Sequence, residues 1–182
     1  MFTSLKHKLV SRIARFRSDQ DGSATVEFAM VFPLYIVLLM SAFESGMLMT
    51  RQAMLERGVD MAIRNVRIGV MNPVDHDTLL TSICANAGII PSCETEVKIE
   101  MRRVDLTNWA GFPNTADCID RDDYALPLEE FQAGSANELM VIRVCALFDP
   151  VFPNLGLGKQ LPRESQDAYA LISSSAFVIE PL

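Results

Sequence analysis

Histidine is scarce in this chain: His7 and His76 are the only two, and they form no ligand pair. Cysteine is absent before Cys84, and no C-x-x-C spacing occurs among Cys84, Cys93, Cys118 and Cys145. These gaps argue against a structural zinc site, which needs clustered Cys or His ligands. No glycine-rich phosphate loop and no serine nucleophile elbow are present either, so the usual nucleotide and hydrolase signatures are missing. No internal repeat is found. Asp75-His76-Asp77 is the one acid–base cluster around a histidine, and helix capping accounts for its aspartates. Asp117, Asp120, Asp122 and Asp123 lack the calcium-loop pattern D-x-[DN]-x-[DN]-G-x₅-E and read as solvated loop acids. The expectation is a chain with no catalytic residues, no metal and no cofactor.

Positive charge is also missing from most of the molecule. The net charge is −7, yet residues 1–22 carry Lys6, Lys8, Arg12, Arg15 and Arg17 against only Asp19 and Asp21. The leader is therefore basic and the remaining body strongly acidic. An acidic body offers little to neutralise phosphates, which excludes nucleic acid as a partner. Arg51, Arg57, Arg64 and Arg67 form a short basic stripe, read as a solvated helix face.

Between leader and body lies a hydrophobic run from Phe28 to Met49. As a helix it spans about 33 Å, enough for a hydrocarbon core of ~30 Å. A cleavable secretory signal would have an apolar region of roughly 7–15 residues followed by a good small-x-small site. Here the run is longer and Ser41 to Gly46 is a poor site, so a retained single-pass anchor is expected. The charge asymmetry orients it with the N-terminus cytoplasmic and the body translocated. At its threshold stands Glu27, a carboxylate that would cost roughly 2.5–3.5 kcal/mol at the bilayer centre and less near an interface. Glu44 is a second carboxylate in or beside the span. It sits either between helices, facing Arg, Ser or Thr of a partner, or at the outer interface.

The rest of the chain gives an α+β organisation. Residues 1–22 form a basic leader, amphipathic or without fixed structure; residues 23–49 form the transmembrane helix. Residues 50–72 continue that helix amphipathically, because Leu48, Leu55, Val59, Ala62, Ile63 and Val66 recur near a period of 3.6. Pro33 would bend the helix or open one backbone bond, and Gly58 weakens it by roughly 1 kcal/mol relative to Ala. Gly69 and Asn72-Pro73 end it. Residues 73–182 form the head. A short helix is expected over Val74 to Asn86, capped by Asp75 or Asp77 and stopped at Ala87-Gly88. Strands are expected over Thr95 to Val104, Leu139 to Phe148 and Tyr169 to Ile179. The second is apolar except for Arg143 and should be central. Residues 105–137 read as a long loop with a helical turn near Leu128–Gln132, and residues 150–163 as a second loop. Together these imply a small antiparallel sheet of about three strands packed on the long helix.

The segment Arg17-Ser18-Asp19-Gln20-Asp21-Gly22-Ser23-Ala24-Thr25-Val26-Glu27-Phe28-Ala29-Met30-Val31-Phe32-Pro33 resembles the start of TadE-like proteins of the tight-adherence pilus apparatus, with a type IV prepilin-like N-terminus. Phe43-Glu44-Ser45-Gly46 is similar to an element often found near the end of their span. The resemblance covers about residues 15–68. It implies a processing site at Gly22–Ser23, cut by a prepilin peptidase, with glycine allowing the backbone into the protease cleft. Glu27 then becomes the fifth residue of the mature chain. With Phe28 beside it, it would set subunit registry by pairing with a neighbouring α-amino group. Phe28 stands where major pilins of this kind usually carry Tyr, and the body is large, so the resemblance implies a minor pilin or pseudopilin. Its partners would be the membrane, other pilin-like subunits, the assembly apparatus and the peptidase. The alternative is a single-pass inner-membrane protein whose head acts as a binding or scaffolding module outside any filament.

The four cysteines all follow the span, on the side expected to be oxidising, where an even number suggests two disulfides. Of three possible connectivities, the favoured one joins Cys84 to Cys93 across the helix-to-strand turn. It also joins Cys118 to Cys145, tying the long loop to the central strand.

Overall fold

Helix α1 runs from Ser23 to Arg67, 45 residues that pass through Pro33 without a break in assignment. It belongs to a computed structural model that describes residues 23–105, 107, 115–122 and 131–181. The basic leader, Gly22 and residues 128–130 of the expected helical turn lie outside the described residues. The chain divides into two units, Met1–Met40 and Ser41–Leu182. In the first, the described residues are all helical, and Val26, Phe28, Met30, Val31, Leu34 and Leu38 are exposed. An 18-residue window of α1 reaches a mean hydropathy of 2.1 with none of it buried. By length and composition α1 is therefore a candidate membrane span.

The second unit is built on the remainder of α1. Its stripe of Leu55, Val59, Ala62, Ile63 and Val66 is fully buried or nearly so. The 3.6-residue period seen in the sequence is thus the period of a packed face. Arg64 and Arg67 occupy the last turn, where cations complement the helix dipole. Gly69 follows in a left-handed conformation, φ 70°, and turns the chain back.

Helix α2 spans His76–Ala87. Asp75 is its N-cap: its carboxylate accepts the Thr78 N–H at 2.7 Å, and the Thr78 hydroxyl reaches back to the Asp75 backbone N–H. Gly88, at φ 67°, closes the other end by donating its N–H to the Cys84 carbonyl. Leu79, Leu80, Ile83 and Ala87 face the core. Where α2 crosses α1, Gly58 is required by space. A Cβ there would lie 2.8 Å from the Ile83 carbonyl oxygen and 2.9 Å from the Ala87 methyl.

A one-turn helix α3, Cys93–Glu96, precedes the first strand. The expected strand starting at Thr95 therefore begins two residues later. The cause is local: the Thr95 N–H and hydroxyl both donate to the Ser92 carbonyl at 2.9 Å, a side-chain bond that competes with extension. Strands β1 (Val97–Arg103), β2 (Leu139–Phe148) and β3 (Tyr169–Val178) form one antiparallel sheet in the order β1-β2-β3. The apolar β2 is central. Its register sets Glu100 opposite Arg143 and Arg143 opposite Ser174.

One sheet face carries Val97, Ile99, Met101, Met140, Ile142, Val144, Phe148, Tyr169, Leu171 and Phe177 into a single core with α1 and α2. The other face carries Lys98, Glu100, Arg143 and Cys145, which are buried, whereas Ile172, Ser174, Ala176 and Val178 along its β3 side are exposed. Residues 115–122 contribute to its covering. Lys98 bonds Asp117 at 2.5 Å, Glu100 bonds Arg143 at 2.6 Å, and a disulfide joins Cys118 to Cys145. The expected helical turn near Leu128–Gln132 is replaced, where described, by extended contacts. Phe131 makes an isolated parallel bridge to Met101, and the Gln132 N–H donates to the Met101 carbonyl at 2.8 Å.

Candidate functional site

Two stretches of α1 carry the residues singled out in the sequence. At its start, Ser23 opens the helix and Glu27 lies one residue beyond the first turn, exposed. Phe28 stacks on Phe32, one helical turn later, with ring centroids 4.8 Å apart. The apolar side chains around them are exposed among the described residues of their unit. Such a surface asks for lipid or for other apolar helices.

Further along, Ser41, Glu44, Leu48, Arg51 and Leu55 recur at intervals of three and four, in phase with the buried stripe. Their partner is the segment after β2. Glu44 is 0 % exposed, and its two carboxylate oxygens accept the backbone N–H groups of Val151 at 3.1 Å and Phe152 at 2.9 Å. The Ser41 hydroxyl oxygen accepts the Leu157 N–H at 3.1 Å, and the Phe43 ring meets Phe152 edge-on at 5.9 Å. The sequence offered Glu44 either another helix or the outer interface. The structure gives it a different partner, two amides of its own chain, which satisfy the charge without a counterion.

Arg51 also departs from its expected place on a solvated stripe. It is 9 % exposed, with its guanidinium 5.0 Å from the Phe148 ring centroid, and it donates to the Asp149 carbonyl at 3.0 Å and the Tyr169 hydroxyl at 2.5 Å. Desolvation pushes the Tyr169 phenol above its ordinary pKa, an effect that the hydrogen bond from Arg51 opposes. Arg57, Arg64 and Arg67 remain exposed. The missed signal was phase: residues 41, 44 and 51 share the face of Leu48 and Leu55, so Arg51, read as solvated, was continuous with the core stripe.

The four cysteines form two disulfides. Cys84 joins Cys93 between α2 and α3, with Cα atoms 5.7 Å apart, and Cys118 joins Cys145 with Cα atoms 5.3 Å apart. The Asp75-His76-Asp77 cluster does not converge on a cavity. Asp75 is spent on the cap, and His76 Nδ1 lies 3.1 Å from Asp77 while its ring abuts Phe131. Asp120 accepts the Asp122 N–H at 2.9 Å, and no group of metal-ligating side chains occurs among the described residues.

What remains as the chemically distinctive feature is the N-terminal half of α1, where the carboxylate Glu27 stands among exposed apolar side chains. Residues 22–64 match the family model for TadE-like protein. The TadE-like segment begins at Gly22 and contains Glu27, Phe28, Pro33, Glu44 and Arg51. It ends inside α1, covering about a quarter of the chain. The TadE-like family implies involvement in tight-adherence pilus assembly, and it is generally structural rather than enzymatic. No curated protein and no solved structure matches this chain. The sheet, α2 and both disulfides lie wholly outside the TadE-like segment.

Proposed function

We propose that this chain is a minor pilin-like, pseudopilin component of tight-adherence pilus assembly. In this reading it is non-catalytic and enters the bacterial inner membrane through α1, with the leader cytoplasmic and the disulfide-tied head outside. A prepilin peptidase cuts between Gly22 and Ser23. The freed α-amino group of one subunit then pairs with Glu27 of a neighbour, so that a carboxylate costly in lipid becomes a device for helix register. The single observation that supports it most is the coincidence of the TadE-like match with the helix whose apolar side chains are exposed.

The test is a Glu27→Ala variant scored for surface pili in the native host, with membrane insertion measured separately. Inserted protein without pili is the expected result; normal piliation would leave a single-pass envelope scaffold instead. Mass spectrometry of the native protein should find Ser23 at the mature N-terminus, and Met1 there would refute processing.

A further inference from the structure

The stretch Val151–Gly158 contains no charged residue. It is fixed to α1 at Ser41 and Glu44, the first turns beyond the Met1–Met40 unit. From within, the Arg163 guanidinium donates to the Pro153 carbonyl at 3.2 Å and to the Gly158 carbonyl at 2.9 Å, bracing the loop across its width. Gly158 is buried, and a Cβ there would collide with the Phe152 carbonyl. The loop is thus held in one shape.

That shape presents apolar groups outward. Leu155 is 46 % exposed and Phe43 52 %, and Val151 is exposed as well. Two acids flank these residues in sequence, and each has a partner within the chain, although the Asp149 side chain is 70 % exposed. Glu44 is held by two amides, and Asp149 pairs with Arg121 at 2.8 Å. The next charged side chain after the loop is Lys159, which is exposed. In a body whose overall charge is strongly negative, this patch is apolar and edged by a cation. Apolar side chains flanked by lysine suit the boundary between acyl chains and anionic headgroups.

We propose that Val151, Leu155 and Phe43 form an interfacial foot that rests in the outer surface of the bilayer while the protein is anchored by α1. The occupant is lipid because the loop is tied to Ser41 and Glu44, helix positions within the outer end of the apolar run Phe28–Met49. Ser41 and Glu44 lie about 12 Å and about 8 Å of helix before that run ends, so anything bonded to them stays beside its last two turns or so. The inference rests on the membrane-anchor reading. It adds that the head touches lipid, with Glu44 as the latch that holds the foot in place.

The test uses the full chain with Trp109→Phe, carrying one new tryptophan as Val151→Trp, Leu155→Trp or, as a control on the outer face of β3, Ile172→Trp. Each is reconstituted in phosphatidylcholine–phosphatidylglycerol vesicles with or without lipid brominated high on the acyl chain. The expected result is blue-shifted emission and at least about twofold quenching at positions 151 and 155, with neither at 172, as for groups lodged in the interface. Two independent positions guard against one variant that fails to fold, and intact disulfides report folding. Protein that resists carbonate extraction but is unquenched at both sites overturns the foot and leaves the anchor standing. A blue shift without quenching by bromolipid means that protein covers the patch and also overturns it. Protein that carbonate removes overturns the anchor reading and the foot together.

Discussion

Glu100 and Arg143 face each other across β1 and β2, with Oε2 2.6 Å from Nε and side chains only 8 % and 9 % exposed. This ion pair lies on the sheet face opposite the main core, beneath the segment that Cys118 holds. Removing one member leaves a buried charge without its partner. Glu100→Gln or Arg143→Met should each destabilise the head by about 3–5 kcal/mol, whereas Glu100→Leu combined with Arg143→Met should recover most of the loss. Denaturant titration of the two single variants and the double variant measures the coupling.

Gly58 and Gly46 lie on the same helix and should respond oppositely to alanine. At Gly58 the new methyl meets the Ile83 carbonyl and Ala87. Overpacking should therefore outweigh the gain in helix propensity and cost about 1–3 kcal/mol. At Gly46 nothing lies within 4 Å of the added carbon. There Gly46→Ala should stabilise by up to about 1 kcal/mol. Thermal unfolding of the two variants compares the signs directly.

The cap of α2 predicts an acid sensitivity. The Thr78 N–H, and after it the Thr78 hydroxyl, hold the Asp75 carboxyl below its ordinary value of 3.8. A depressed folded-state pKa stabilises the fold above the unfolded value and loses that contribution as pH falls through the folded one. The advantage of wild type over Asp75→Asn should thus be present at neutral pH and fade below pH 3.8. Unfolding curves over that range would show a constant difference if the carboxylate were not the cap.

Each disulfide should stabilise by an amount that grows with the logarithm of the loop it closes. The sequence separations are 9 for Cys84–Cys93 and 27 for Cys118–Cys145. By loop entropy, paired Cys→Ala variants should lose about 2.5 and about 3.5 kcal/mol respectively. Non-reducing peptide mapping verifies the pairing, and equilibrium unfolding gives the order of the two losses.

The latch on the 150–163 loop offers a further measurement. Glu44→Ala strands the N–H groups of Val151 and Phe152 and should cost about 2–3 kcal/mol. Hydrogen exchange should rise selectively at those two amides. Unchanged protection would show that Ser41 and Arg163 hold the loop without Glu44.

Much of this architecture was legible from local rules. A continuous apolar run located β2, alternation located β3 and most of β1, a period near 3.6 located the buried stripe of α1, and Asp75 or Asp77 with Gly88 marked the ends of α2. Phe28 to Met49 announced a span by length. What escaped was information carried across the chain. Nothing beside Glu44 in sequence indicates that two amides about a hundred residues later will receive its charge. Nothing near Lys98 and Glu100 indicates that a disulfide-tied segment will close over their face. The strand edge at Thr95 was lost to one hydroxyl, a side-chain bond that periodicity does not register. For the functional helix, composition alone told of lipid, and only the resemblance told of pili.

The stripe from Leu55 to Val66 is shared property. It is the far end of the rod that begins at Ser23 and also one wall of the sheet's interior. A fragment cut at residue 69 would keep all three strands yet present them with an open, oily flank, and it would clump rather than fold. A head fragment that folds has to retain α1 from Ser41 onward. Rod and head cannot be exchanged piecemeal between two such proteins, since a graft that swapped only one would mate two halves of different interiors.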